Sequence, residues 1–480
     1  MIDSSPTAAF PTPIHAVQAR GGIFRQLLDA VRGVETDLTE APLGRALLML
    51  AVPMILEMLM ESIFAMVDVF WVAHLGARAV ATVGLTESMM MIVYSLAMGV
   101  SIGAMALVAR RIGEKDGDAA ARTTVQGIWL GLLLALCIGA LGASFAPQLL
   151  GLMGADAEVV RTGSTFTRVM LGGNATVFLL FLINSVFRGA GNAAQAMRVL
   201  WLGNALNIVL GPVFIFGIGP IPALGVTGAA VATTLGRGIA VLYQLSILRR
   251  GTSKLSVSRA HLRIDPRLMA TVLKLSLSAT GQMLISMTSY VAVMRILSGF
   301  GSAPLAGYTI GFRIFMFAIL PAFGLANAAA TLVGQNLGAK RPERAEASVW
   351  RASNISAGFL CTVGVGFLVG APWLVQLFTS EAEVARHAVS YLRIVSLGFP
   401  FYAYGMVVSQ SFNGAGDTRT PTFINLLVFW AVQIPLAWSL SRYTSFGAEG
   451  VFATLAFSFS IFAVVSVFAF RRGSWKRVHV

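Results

Sequence analysis

The 480-residue chain predicts an all-α membrane protein, with twelve transmembrane helices in two pseudo-symmetric six-helix lobes around a central cleft. Three observations carry this. First, 56% of the residues are hydrophobic, 12% are charged and mean hydropathy is +0.77, far too little polar surface to cover a water-soluble chain of this size. Second, Phe187-Arg-Gly-Ala-Gly-Asn192 returns as Phe412-Asn-Gly-Ala-Gly-Asp417, and the same offset of 225 pairs Gly99 with Gly324, Gly113 with Gly338, Pro147 with Pro372 and Arg168 with Arg393. Repeated hydrophobic segments are the mark of a duplicated membrane protein. Third, basic residues gather in alternate loops.

The elements follow in chain order. Residues 1–42 form a tail, in which Ile23, Phe24, Leu27, Leu28 and Val31 share one helical face beside Arg20, Arg25 and Arg32. That is the pattern of a short interfacial helix, with an unstructured tail as the alternative. Acidic Glu35, Asp37 and Glu40 and the lack of a short apolar core argue against a cleavable signal. Apolar runs of the roughly 20 residues needed to cross about 30 Å of hydrocarbon fall near 46–73, 83–109, 123–145, 162–187, 197–216 and 226–248, giving an N-lobe over 43–250. A linker at 251–267 ends at Asp265-Pro266, a helix start. The C-lobe, 268–472, carries runs near 270–298, 306–334, 349–370, 386–412, 422–440 and 451–470, and 473–480 is a second tail.

The net charge of +14 is explained by topology. Arg110, Arg111, Lys115 and Arg122 follow the second run, Arg188 and Arg198 flank the loop after the fourth, and Arg249, Arg250, Lys254, Arg259, Arg263 and Arg267 follow the sixth. Lys340, Arg341, Arg344, Arg419, Arg471, Arg472, Lys476 and Arg477 continue the series, whereas the intervening loops hold Arg78, Arg161, Arg386 and Arg442. Both termini are then expected to be cytoplasmic, both lobes lie the same way up, and their pseudo-axis runs along the membrane normal. No basic stripe with interleaved aromatics points to nucleic acid. Cys137 and Cys361 sit inside apolar runs and form no disulfide or metal framework. No nucleophile, zinc or phosphate-loop motif is present, so neither an enzyme nor a cofactor is expected.

The costly residues point further. An ionised acid at mid-membrane costs about 2.5–3.5 kcal/mol on insertion scales, yet Glu57, Glu61 and Asp68 lie in the first run and Glu87 in the second. At 100° per residue Glu61 and Asp68 fall about 40° and about 20° around the helix from Glu57, a single stripe rising about 16 Å. Crowded carboxylates can exchange protons near neutral pH and attract cations, which is antiporter chemistry; a salt-bridged structural acid, or for Glu57 and Glu87 a wet position near the headgroups, is the alternative. The second lobe has no acid between Asp265 and Glu343, and Val293, Ser286 and Gln282 stand at the positions equivalent to Asp68, Glu61 and Glu57. There Arg295 is a counterion or snorkels, and Arg313, nearly equivalent to Glu87, is a candidate interlobe partner for it. Ten of the 20 methionines lie between Met49 and Met105, Met58 among them, as suits a surface accepting varied apolar ligands or simple gap-filling.

With Ala51-Val-Pro53, Val67-Asp68, His74-Leu-Gly76, the Arg188-to-Asn192 turn, Asn204-x-x-Asn207, the Gly225-to-Thr233 segment and Asn413-to-Thr418 in view, the chain over about 43–472 resembles the multidrug and toxic compound extrusion (MATE) transporters. The resemblance implies two lobes in a V and alternating access driven by proton or sodium. It further implies export of cationic or amphiphilic compounds by a monomer in a bacterial-type inner membrane, with lipid as its surroundings. Asp68 matches the family's acid of the first helix, and Asn207 and Thr233 its polar network. Gly211-Pro212 lacks the helix-5 Asp of the DinF-like branch, with Glu57 and Glu61 as candidate replacements. Ser286 and Tyr402 stand where the sodium-coupled NorM branch has acids, so proton coupling of the DinF-like kind is expected, with sodium as the alternative. Asp68, Glu61 and Glu57 are thus the coupling candidates; Glu87, Asn207, Thr233, Met58, Gln282 and Tyr402 the cavity and polar-network candidates. A lipid-linked precursor flippase, a channel or an intramembrane enzyme are the competing readings.

Overall fold

The computed structural model describes residues 22–251 and 255–478. Arg20, Lys254 and the first half of the predicted tail lie outside the described residues. The amphipathic segment is helix α1 (Ile23–Arg32), with Ile23, Phe24, Leu27 and Leu28 exposed and Ala30 buried. Arg198 Nη2 donates to the carbonyls of Val31 (3.3 Å) and Arg32 (2.8 Å), tying down its C-terminal end.

The first lobe comprises α2 (Leu43–Ala73), α3 (Ala77–Gly113), α4 (Gly117–Ser144), the short α5 (Ala146–Leu152), α6 (Ala157–Gly172), α7 (Ala175–Gly189), α8 (Ala193–Pro212) and α9 (Val226–Arg250). The second comprises α10 (Pro266–Leu297), α11 (Ser302–Gly338), α12 (Pro342–Gln376), α13 (Ala382–Ser396), α14 (Phe399–Ala415), α15 (Arg419–Asn425), α16 (Gln433–Tyr443) and α17 (Ala448–Arg471). Helices α6 and α7 run on as one span, Ala157–Gly189, and α15, a π-helical stretch and α16 as another, Arg419–Tyr443. Among the described residues eleven spans are long and apolar enough to cross a membrane, twelve with the bent α13–α14 pair.

The bend is the main departure from the expected continuous run at 386–412. Between α13 and α14 the axis turns by 62°. Pro400 at the start of α14 stands where the first lobe has Ala175; a proline has no N–H to give and its ring crowds the carbonyl four residues back, here Ser396.

The duplicated turns are alike in backbone. Gly191 and Gly416 both take φ of 86°, and Asn192 and Asp417 cap the helices that follow, accepting from Gln195 N (3.2 Å) and Thr420 N (3.1 Å). Lys115 and Lys340, also one offset apart, share left-handed φ of 61° and 57° in the turns after α3 and α11.

Call the side on which α2 begins and α17 ends the terminal face. Toward it, α3 is buried continuously from Gly99 to Ala109 and α11 almost continuously from Gly324 to Gly338. Toward the opposite face both helices have exposed positions, among them Glu87, Ser88 and Met91 of α3 and Arg313 and Phe317 of α11. The lobes therefore meet at the terminal face and part at the other, leaving a cleft open there. The seam is glycine against backbone: a Cβ on Gly113 would lie 2.0 Å from Gln335 O and one on Gly338 2.1 Å from Arg110 O, the same contact made twice under the pseudo-two-fold. Each half also packs the early turns of its first helix into the other. Leu47 and Leu50 of α2 join the second lobe's core, and their equivalents Val272 and Leu275 of α10 join the first lobe's.

Candidate functional site

Inside the first lobe, polar side chains from α2, α7, α8 and α9 converge. Helix α2 presents Glu57 and Glu61 one turn apart and Asp68 two turns further on, as the stripe requires. Their environments differ. Glu57 is sealed, 2% exposed: Arg188 Nη1 donates to its Oε1 at 2.7 Å and Asn184 Nδ2 at 3.3 Å, and Gln244 Nε2 holds Asn184 Oδ1 at 2.7 Å. Glu61 is half-buried and accepts from Asn204 Nδ2 at 3.0 Å. Asp68, also half-buried, is the acid of α2 nearest the open side. Asn207 Nδ2 donates to Thr233 Oγ1 at 2.8 Å, both side chains buried, which ties α8 to α9 beside the acids.

The sequence did not flag Arg237. It is 5% exposed on α9, one turn beyond Thr233; its guanidinium carbon lies 5.8 Å from the Phe64 ring centroid and 5.9 Å from that of Tyr94, and Nη1 donates to Tyr94 Oη at 3.3 Å. Its charge acts on both Glu61 and Asp68. The signal was available, since Arg237 is the sole Lys, Arg, Asp or Glu of α9 before Arg249 and so carries the insertion cost that singled out the acids.

Glu87 and Arg313 do not meet. Both are exposed on the diverging halves of α3 and α11; the charge near Glu87 is Asp68, and Arg313 lies near Tyr290. The expected interlobe partnership is absent here because the helices have already separated at that level. Contacts across the terminal face take its place: Arg341 Nη1 donates to Thr39 O at 2.7 Å, Arg344 to Leu38 O at 3.2 Å and to Ala41 O, and Gln335 Nε2 to Gly189 O at 2.8 Å.

In the second lobe Gln282 is buried and exchanges hydrogen bonds with Asn413 at 3.0 and 3.2 Å. Tyr402 packs against Phe459 (4.4 Å), Phe315 (6.0 Å) and Phe462 (6.4 Å), in an aromatic cluster rather than an ion site. Met58 is half-buried on α2, and Arg295 is exposed near the open-side end of α10, a snorkelling position. No cluster of His, Cys, Asp and Glu suited to a metal ion occurs among the described residues.

Two helical lobes of one ancestry, joined at one face, with an ionisable interior in one of them, define a membrane transporter. The family model MatE matches residues 53–213 and again 279–439, once in each half, and the chain belongs to this family of membrane transporters, which are not enzymes. It is 24% identical over 444 residues to the probable multidrug resistance protein YoeA of Bacillus subtilis (strain 168), covering 91% of this chain and 95% of that protein. It is 26% identical over 424 residues to an FAD transporter of Shewanella oneidensis, covering 87% and 92%. A solved structure described as the outward-facing conformation of a multidrug resistance MATE family transporter superposes with a TM-score of 0.85 at 26% identity, over 92% of this chain and 98% of that one.

Proposed function

We propose that the protein is a secondary active exporter of cationic or amphiphilic organic compounds, working as a monomer by alternating access and driven by protons that enter the first lobe at Asp68 and Glu61. The observation that carries this is the placement of two partly accessible carboxylates in a polar interior on the open side of one lobe, with no counterpart in the other. Ser286 and Tyr402 leave the second lobe without a sodium ligand set, which favours protons over sodium. The positive loops assign the terminal face to the cytoplasm of a bacterial-type inner membrane, and the cleft then faces outward. Glu57, held by Arg188 away from the cleft, serves to position α2 rather than to carry protons.

Export from proteoliposomes under a pH gradient alone and a sodium gradient alone tests the reading. The pH gradient should suffice, and Asp68→Asn, which keeps the side-chain volume, should abolish export while the protein stays inserted and monodisperse. Full export by that variant removes Asp68 from the mechanism. Because one relative is an FAD transporter, a flavin dinucleotide belongs in the same assay beside lipophilic cations; its transport would move the substrate class from cations to large anions.

A further inference from the structure

Two half-buried carboxylates in a polar lobe interior ordinarily need a cation, and the neighbouring oxygens of Asn204, Asn207 and Thr233 are of the kind that hard cations take. Here the cation is supplied by the chain. Arg237 is buried, aromatic-bracketed by Phe64 and Tyr94, and directed from α9 toward the face of α2 that carries Glu61 and Asp68. We propose that Arg237 is a fixed counter-cation that stands in place of a mobile metal cation in the first lobe, so that the site exchanges protons and excludes sodium.

The charges facing the site make the balance concrete. Helix α2 contributes Glu61 and Asp68, α3 contributes Glu87 near Asp68 together with the Tyr94 hydroxyl, and α9 contributes Arg237. Glu57 is already neutralised by Arg188 of α7, and α8 offers only the amides of Asn204 and Asn207. Removing Arg237 leaves the acids with no positive partner, among amide and hydroxyl oxygens. That is a vacancy a sodium ion could fill. A guanidinium held by two rings and a hydroxyl cannot leave as a diffusible ion does, so proton arrival at an acid changes the charge that Arg237 balances without releasing Arg237.

The inference rests on the reading of Asp68 and Glu61 as the coupling pair, but its first test, sodium-dependent melting, does not need transport. The melting temperature of the full-length detergent-purified protein is measured against sodium chloride, with choline chloride at equal ionic strength as control. The unaltered protein and Arg237→Lys, which keeps a cation, should be indifferent to sodium. Arg237→Gln should show a saturable, sodium-specific upward shift that disappears in the double variant Arg237→Gln with Asp68→Asn. A folded Arg237→Gln protein without a sodium response, or an unaltered protein already stabilised by sodium, overturns the proposal. If Arg237→Gln is not recovered folded, Arg237→Lys decides: proton-driven export without sodium response supports the charge role, and loss of export in a folded Lys variant overturns it. Export by Asp68→Asn alone would defeat the coupling reading while leaving the sodium result to stand separately.

Discussion

Glu57 with Arg188 and Gln282 with Asn413 occupy the same two positions in the two lobes, and they make the same contact, one as a buried ion pair of 2.7 Å and the other as paired amides. Each joins the lobe's first helix to the C-terminal end of its fourth span. A contact that works with and without charge is chiefly a positional one. Replacing a buried pair by a matched neutral pair is often close to neutral, whereas removing one partner strands a charge at a cost of about 3–5 kcal/mol. Arg188→Ala should therefore lower the melting temperature in detergent markedly, while the double variant Glu57→Gln with Arg188→Asn should melt near the unaltered protein and still export. Equal losses in both would return Glu57 to the coupling set. At this scale the sequence was half legible. Spacing put Glu57, Glu61 and Asp68 on one stripe of α2, but it said nothing of what stood opposite. Arg188, whose place in the sequence fits a loop charge of the topology, is the partner of Glu57, and Arg237 is a single cation inside an apolar run whose partners lie on α2 and α3.

Among the elements, α3 and α11 depend on having no side chain where they cross. A methyl group on Gly338 would meet the Arg110 carbonyl, backbone that cannot turn aside, and overpacking of this kind costs about 1–3 kcal/mol. Gly84, on the same helix as Gly113 but with nothing near its Cβ position, gives the control. Gly338→Ala should reduce both thermal stability and export, and Gly84→Ala should leave stability unchanged or raise it by up to about 1 kcal/mol; the pair of melting curves decides. Cross-lobe hydrogen bonds from Arg341 and Arg344 to the segment before α2 reinforce the same face. These contacts could not be read from hydropathy, since a seam glycine and a lipid-facing glycine look alike in a span. The bend before α14 could have been, because Pro400 interrupts an otherwise repeated pattern.

For the whole molecule, twelve apolar runs, a constant offset and alternating loop charge were enough to give the architecture, since lipid admits so few ways to satisfy a backbone. The direction in which the cleft opens was not legible, because one sequence serves every state of a moving transporter. Nor was the exchange of contacts by the early turns of the two first helices, which makes the lobes overlap the halves of the chain rather than coincide with them. That exchange, with the doubled Gly113 and Gly338 contact, has the form of an isologous dimer interface, residue i meeting j while j's twin meets i's. The protein is in this sense two subunits on one polypeptide, and covalent continuity between them is expected to be dispensable. Residues 1–252 and 253–480, co-expressed as separate chains, should copurify through a tag on either one and export substrate, whereas the first fragment alone, with the early turns of α2 deprived of their host, should aggregate. Failure of the two fragments to associate would mean that the connector itself guides assembly. Success would mean that the connector serves equal supply of the two partners rather than their recognition, which leaves each half free to carry its own chemistry, acids in one and none between Asp265 and Glu343 in the other.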